Sequence, residues 1–248
     1  GVTAFAINTT KDVTKSLSAV TSDRVSFRYT AKDAAGVVTG VPVTVSISDG
    51  GHIIGADGKP VSSRIIYPAT GGLVEFSVTA TTTGTKTITV TAGAVSATAT
   101  VAYKNVKEDA RVISAVADST SGLVTATVKD AFGNPVSGVV LTGTLSAGAE
   151  FGSRSNSISV TTATDGTASF SVLGSGTLTL SASATDYAKT TYLAGYADAI
   201  GATVQTGAPA GVRVVTLAVS GPSANDVAQA AQDAAAEATD AANAATDA

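Results

Sequence analysis

Apolar and polar side chains alternate along most of the chain up to residue 220, the pattern of strands with one buried face. Between residues 25 and 30, for example, Val25, Phe27 and Tyr29 face opposite Ser26, Arg28 and Thr30. In the first half the alternating segments are 2–8, 23–31, 41–48, 62–68, 73–80, 85–92 and 95–103. In the second half they are 110–118, 123–130, 139–146, 157–163, 167–174, 177–184 and 213–220. Short strands at such even spacing predict β-sandwiches.

The two halves also share sequence. Lys32–Asp33 matches Lys129–Asp130, and Ser48 matches Ser146 at nearly the same offset. The run Thr87–Val90 corresponds to Thr177–Leu180. A repeat of about 100 residues has the length of one Ig-like domain. The sequence therefore predicts an all-β chain of two tandem Ig-like β-sandwiches, at residues 1–104 and 105–221, followed by an Ala-rich α-helix.

The last 26 residues follow a different period. An acidic residue stands at every seventh position, at Asp226, Asp233, Asp240 and Asp247. Alanine fills two other heptad phases, whose alternating spacings of three and four are those of coiled-coil a and d positions. We name these alanines the candidate assembly seam: Ala228, Ala231, Ala235, Ala238, Ala242 and Ala245.

The start of this helix is marked by Gly221–Pro222, after which Ser223 and Asp226 have the spacing of a capping box, with Asn225 as an alternative cap. Because no stop signal precedes Ala248, we expect the helix of residues 222–248 to begin a coiled coil that continues further. Six buried alanine methyls contribute no more than about 5 kcal/mol. Association should therefore need many copies or a longer coil.

Composition narrows the range of functions. The chain has no cysteine, so disulfides and thiolate chemistry are excluded, and no apolar run is long enough to span a membrane. With 15 basic and 19 acidic residues, it does not have the charge of a nucleic-acid-binding protein. The charge is uneven, since all five charged residues after residue 222 are acidic. Attraction between the acidic helix and the more basic first half of another copy is one interpretation, and a solvated helix face is the other.

The residues needed for catalysis are missing. His52 is the only histidine, which excludes a multi-histidine zinc site, and we expect it to be a loop or strand-edge residue. The Asp–Gly pairs at Asp49, Asp57 and Asp165 form neither an EF-hand loop nor a phosphate-binding loop. No catalytic residue and no cofactor is predicted. Calcium near residues 107–109 and Asp130 is left open.

Residues 185–211 do not fit the repeat. They contain Tyr187, Tyr192 and Tyr196, which form a candidate contact patch because tyrosine is enriched at interfaces, or which cover a sheet edge. In one alternative, residues 185–196 supply the closing strand and residues 213–220 belong to a hinge.

The turn chemistry of the second half resembles that of bacterial Ig-like domains of the intimin/invasin type. Asp130, Gly133, Asn134, Pro135 and Val136 match the first turn of that type, and Asp165–Gly166 match the later one. The first half departs from it, with Val37 in place of Asn134 and no proline. The alanine heptads after Ig-like repeats also resemble surface-layer-type proteins of actinobacteria.

These resemblances imply a structural protein at the bacterial cell surface, secreted and not an enzyme. We expect a subunit segment of a surface layer or extracellular filament, with copies of itself and cell-envelope components as partners. The alternatives are the stalk of an adhesin whose binding tip lies elsewhere, a virion domain, or a module attached to a hydrolase.

Overall fold

The computed structural model describes residues 1–6, 11–14, 24–37, 40–55, 57–183 and 212–246. Over these residues, strands form two successive β-sandwiches, and the last described segment is a helix. The predicted fold class is therefore confirmed.

Eleven strands are described in the first sandwich. They are β1 Ala4–Ala6, β2 Lys11–Thr14, β3 Val25–Asp33, β4 Gly36–Val37, β5 Val43–Ile47, β6 Gly51–Ile54, β7 Pro60–Val61, β8 Ser63–Ile66, β9 Leu73–Ala80, β10 Gly84–Ala92 and β11 Val95–Lys104. One sheet has the order β1–β3–β9–β6–β7, with β4 beside β3, and the other has the order β2–β11–β10–β5–β8. The strand β2 joins β11 in parallel, while the other pairs are antiparallel.

The core of the first sandwich follows from the alternation of its strands. Phe27 and Tyr29 of β3 point inward and stack on Phe76 of β9, with ring centroids 5.8 and 5.7 Å apart. Valines and isoleucines of the facing sheet, among them Val45 and Ile88, cover these rings. These three rings, with the buried Tyr103, thus supply the bulk that an otherwise light Val/Ala core lacks.

The second sandwich contains seven described strands. They are β12 Val112–Ala117, β13 Leu123–Lys129, β14 Val140–Leu145, β15 Ala149–Phe151, β16 Ser157–Thr161, β17 Thr167–Ala182 and β18 Val214–Ser220. The helix α1 spans Ala224–Thr246. Phe151 and Phe170 lie at the centre of this core, with ring centroids 6.1 Å apart.

One long strand links both sheets of the second sandwich. The sequence predicts two strands at 167–174 and 177–184, but β17 runs through Thr167–Ala182. Its first part pairs with β13, and residues 175–182 pair with β14 and β18. Gly174, with a φ of 75°, lies between the two parts. A glycine at this position allows the strand to pass from one sheet to the other without ending. Because Gly-Ser-Gly is also typical of turns, the sequence predicts two strands here instead of one.

The other differences from the predicted strands concern short elements. Strands β2, β4, β6, β7 and β15 are two to four residues long and are not predicted, because so few residues cannot show a period. The strand β18 pairs with β17 along Val214–Ser220. It is therefore the closing strand that alternation predicts at 213–220, and the hinge alternative for these residues is wrong.

The Asp165–Gly166 turn gives a first prediction. Gly166 and Gly138 have φ values of 73° and 78°, so replacing either by alanine strains the backbone by about 1–2 kcal/mol. A Cβ on Gly166 would also lie 2.7 Å from the Val128 carbonyl oxygen, whereas one on Gly138 would meet nothing within 4 Å. We expect Gly166→Ala to lower the free energy of unfolding in urea clearly more than Gly138→Ala. Equal losses would contradict the packing described for this turn.

Candidate functional site

The loop between β13 and β14 begins with a turn, residues 130–135, that we name the junction turn. Asp130 organises it, because its Oδ1 accepts hydrogen bonds from the backbone N–H groups of Phe132 and Asn134, both at 2.8 Å. Gly133 has a φ of 89°, a conformation that favours glycine. The turn expected from the Gly-Asn-Pro sequence is thus formed around a carboxylate.

The junction turn also touches the first sandwich. The Asn134 Nδ2 donates to the Thr81 carbonyl oxygen at 2.8 Å and to the Asp130 Oδ2 at 2.9 Å. From the other side, the Asn105 Nδ2 donates to the Pro135 carbonyl oxygen at 3.1 Å. Phe132 packs against the core of the first sandwich. One turn therefore joins the two sandwiches through hydrogen bonds and an aromatic contact.

The linker between the sandwiches is itself held by hydrogen bonds. The backbone N–H of Val106 donates to the Asp109 Oδ2 at 2.8 Å, and a 3₁₀ turn spans Lys107–Asp109. The backbone N–H of Arg111 donates to the Lys129 carbonyl oxygen at 2.8 Å, and the Arg111 side chain is fully buried. A linker fixed along its length in this way limits the freedom of one sandwich relative to the other.

The carboxylates near the junction accept hydrogen bonds from N–H groups. Asp109 and Asp130 each accept from the backbone, as described above. Across the described ranges, no three His, Asp or Glu side chains are grouped as a metal site would require. The hydrogen bonds that these two carboxylates accept from backbone N–H groups hold the linker and the junction turn in place.

A second group of polar side chains lies at the same end of the first sandwich. The His52 Nε2 and the Thr81 Oγ1 are 3.3 Å apart, and the Lys86 Nζ donates to the Thr82 Oγ1 at 2.6 Å. Burial lowers the pKa of His52, and the nearby Lys86 lowers it further. Burial also lowers the pKa of Lys86, against a smaller opposing effect of Asp49. His52 lies within β6, and its ring contacts the side chain of Thr81. The carbonyl oxygen of the same Thr81 accepts the hydrogen bond from Asn134.

The base of the helix is fixed to the far end of the second sandwich. The Gly221 N–H donates to the Gly174 carbonyl oxygen at 2.8 Å, and the Gly174 N–H donates to the Pro222 carbonyl oxygen at 3.0 Å. A Cβ on Gly122 would lie 3.0 Å from the Gly221 Cα. The two backbones are therefore in contact, and only glycine permits this approach.

The capping box predicted for the helix is confirmed. The Asp226 N–H donates to the Ser223 Oγ at 3.1 Å, and the Ser223 N–H donates to the Asp226 Oδ2 at 3.2 Å. These hydrogen bonds with Ser223 lower the pKa of Asp226. The first turn of α1 is thus specified by local sequence and begins directly at its glycine-lined base.

The helix itself is exposed from residue 225 to residue 246. At 100° per residue, the six alanines of the candidate assembly seam lie on one side, and Asp226, Asp233 and Asp240 lie on the other. The structure places these alanines on one helix face, and their role as a seam stays a prediction. No described helix is long and apolar enough to cross a membrane. Tyr187, Tyr192 and Tyr196, the candidate contact patch, lie outside the described residues.

No protein-family model matches the chain, and no curated protein matches it either. Several solved structures of bacterial surface proteins are similar to it. Invasin, a bacterial integrin-binding protein, is 14% identical over 89% of this chain, with a TM-score of 0.40. The Escherichia coli adhesin FdeC is 21% identical over 88% of the chain, with a TM-score of 0.43. Domains 4 and 5 of the S-layer protein SbsC are 17% identical over 42% of the chain, with a TM-score of 0.29.

The chain spans less than two thirds of each of these structures: 39% of invasin, 63% of FdeC and 53% of the SbsC fragment. The solved structures named here include invasin, whose type the turn motifs resemble, and S-layer domains. The fold of this chain is therefore described from its own strands and sheets.

The junction turn gives a second prediction. Asn134→Ala removes the hydrogen bonds to Thr81 and Asp130 and should lower the free energy of unfolding by about 1–3 kcal/mol. It should also speed amide hydrogen exchange at residues 81–83, although these belong to the first sandwich. The control is Asn156→Ala, an exposed asparagine of the second sandwich, which should change stability by less than about 0.5 kcal/mol. Unchanged exchange at residues 81–83 in Asn134→Ala would contradict the proposed coupling.

Asp130 gives a prediction about pH. Burial raises its pKa from 3.8 to about 6, against the opposing effect of hydrogen bonds from Asn134, Phe132 and Asn105. The folded state therefore holds a proton more tightly than the unfolded chain. The resulting stabilisation is fully present below pH 3.8 and is lost as the pH rises through about 6.

Lowering the pH from 7 to 5 should thus stabilise the second sandwich through Asp130 by about 1 kcal/mol. Asp130→Asn should abolish this gain, as measured by urea unfolding at the two pH values. Asp118→Asn is the control, because hydrogen bonds lower the pKa of that exposed carboxylate, so it stays ionised at both pH values. An equal pH response in the wild type and Asp130→Asn would rule out this assignment.

Proposed function

We propose that this chain is a structural segment of a bacterial cell-surface protein, located outside the cell, with no enzymatic activity of its own. It would act as a subunit segment of a surface layer or extracellular filament. Its domains are residues 1–104 and 105–221, and residues 222–248, which contain α1, form the assembly segment. Copies of the same chain are the main partners, with cell-envelope components as further ones.

The observation that carries this proposal is the exposure of the whole described helix beyond its capped base. An alanine-rich helix that lies against no sandwich gains little from its own chain beyond local helix propensity. A fixed base, however, presents its alanine face in a defined direction. Such an arrangement suits a helix that pairs with helices of other copies.

The junction supports the role of the sandwiches as spacers. The hydrogen bonds of Asn134 and Asn105, the contact of the half-buried Phe132 with the first core and the hydrogen-bonded linker all oppose bending between the sandwiches. When the two sandwiches are held in this way, the distance between the first sandwich and the base of the helix stays constant. Lattices and filaments need this property, because their repeat distance must be constant.

A stalk of an adhesin is the second candidate, and the same bonded junction favours it. A stalk needs stiffness but not self-association, and its ligand-binding tip would lie outside this chain. The two candidates differ in one measurable property, which is whether the mass of the particle rises with protein concentration.

Sedimentation of the full chain over a range of concentrations, with and without calcium, tests the proposal. We expect the mass to rise with concentration, and deletion of residues 223–248 to prevent this rise. A chain that stays monomeric at all concentrations under both conditions would contradict self-assembly and favour the stalk.

The candidate assembly seam allows a sharper form of this prediction. Ala235→Glu with Ala238→Glu places two carboxylates on the alanine face and should weaken association by at least about tenfold. Ala230→Glu with Ala244→Glu adds the same charge on the side of the aspartates and should have a much smaller effect. Circular dichroism checks that both variants keep the helix, as the good helix propensity of glutamate leads us to expect. Equal effects of the two pairs would contradict the seam.

A further inference from the structure

One outer sheet face of the first sandwich carries a row of positive charge. Arg28 and Lys32 make β3 the only described strand with two basic residues, and Arg24 directly precedes that strand. Because Phe27 and Tyr29 point into the core, alternation turns the basic side chains toward solvent. We name Arg24, Arg28 and Lys32 the cationic strand face.

Most of this positive charge has no acidic partner in the part of the chain that the structure describes. The Arg28 Nε donates to the Glu75 Oε1 at 2.6 Å, so the central cation is paired. Neither Arg24 nor Lys32 forms an ion pair within the described residues. The described strands of the second sandwich contain a single basic residue, Lys129. A row of cations therefore distinguishes this face from the other described sheet faces.

The helix α1 carries the opposite charge. Its charged residues are Asp226, Asp233, Glu237 and Asp240, and it contains no basic residue. At 100° per residue, these four lie within an arc of about 60°, on the side away from the candidate assembly seam. We name them the acidic helix face. All four are exposed, so the face does not lie against the described part of its own chain.

The spacings of the two charged rows are similar. The three cations recur every four residues along a strand, which is about 13 Å. The aspartates recur every seven residues along the helix, which is about 10 Å. When Asp233 lies opposite Arg28, the outer pairs are therefore offset by about 3 Å, a distance that flexible lysine and arginine side chains can span. Three ion pairs can form along one line of contact.

Small side chains surround the long cations on the strand face. Ser26 lies opposite Ser77 between β3 and β9, and Ala4 and Val37 lie opposite Lys32 on its two sides. Val37 is 53% exposed. The uncharged residues of the helix are also small, because most of them are alanine. A helix can therefore approach these strands closely enough for its carboxylates to reach the cations.

The position of the helix makes this a contact between copies. The helix begins at the end of the second sandwich opposite the junction turn, and it is exposed from residue 225 to residue 246. The cationic strand face lies on the first sandwich, beyond the junction. Opposite charges at the two ends of one chain favour a head-to-tail arrangement of neighbouring copies.

We propose that the cationic strand face binds the acidic helix face of a second copy of the chain. This inference rests on the proposed function, since it names a surface through which neighbouring copies meet. The alanine seam lies on the opposite side of the same helix, so both contacts can form at once. A head-to-tail contact that does not close into a ring continues from copy to copy, as a filament or layer requires.

The test reverses charge on both faces of the full chain. Arg24→Glu with Lys32→Glu leaves the Arg28–Glu75 pair intact and should weaken association in sedimentation by at least about tenfold. Asp233→Lys with Asp240→Lys should weaken it to a similar extent. The variant with all four substitutions again has opposite charges across the contact, so it should recover most of the association.

Lys129→Glu with Arg213→Glu is the matched control. It reverses one lysine and one arginine at exposed positions of the second sandwich, and therefore changes the net charge by the same amount as the strand-face variant. This control should associate like the wild type. Urea unfolding and circular dichroism check that the sandwiches and the helix are intact in every variant.

Salt separates this contact from the alanine seam. Raising the salt concentration from about 0.01 M to about 1 M shortens the Debye length from about 30 Å to about 3 Å. Association of the wild type should weaken over this range, because screening removes the attraction between the two charged faces. The strand-face variant should lose much less, since its remaining association depends on alanine contacts. An equal salt response of the two proteins would contradict the inference.

The outcomes separate this inference from the proposed function. If the strand-face variant assembles like the wild type while deletion of residues 223–248 abolishes assembly, the inference is overturned and the assembly function stands. If the wild type never associates, both are overturned. If both reversals weaken assembly but the combined variant does not recover, the two faces do not meet each other. Strand-face reversal that abolishes binding of a polyglutamate probe but leaves self-association unchanged would assign the face to an acidic polymer instead.

Discussion

The buried carboxylate of Asp130 is the interaction on which the shape of this molecule depends. It holds the junction turn through two backbone N–H groups and positions Asn134, whose amide bonds to the first sandwich. Burial raises the pKa of this carboxyl to about 6, so its hydrogen bonds do not fully offset its desolvation. The turn that carries this cost joins the second sandwich to the first through the Asn134 amide.

A stiff junction also fixes the direction of the helix, which begins far from it. The helix begins at the opposite end of the second sandwich, from a base where Gly122, Gly174 and Gly221 bring backbones into contact. With both ends of the second sandwich held, the direction of the exposed alanine face is set relative to the first sandwich. An alanine face of this kind binds weakly between two copies, and repetition over many copies would make such contacts add.

Sequence reasoning predicts most of this fold because alternation and turn chemistry are local. Strand β3 and the capping box of Ser223 and Asp226 follow directly from neighbouring residues. The continuous strand β17 does not, because Gly174 reads as a turn until the two sheets that it joins are known. The contact between Asn134 and Thr81 is equally hidden, since it links residues 53 positions apart whose approach depends on the angle between sandwiches. Sequence marks Asn134 as a turn residue, but not as a bridging one.

The most direct test of this account is the distance between the two sandwiches in solution. Spin labels on Ser26→Cys and Ser169→Cys place one probe on an exposed strand position of each sandwich, and the chain has no other cysteine to interfere. Pulsed dipolar spectroscopy of the dilute full chain should give one narrow distance distribution, and Asn134→Ala should broaden it. A broad distribution in the unsubstituted junction would contradict the claim that the junction turn fixes one sandwich on the other.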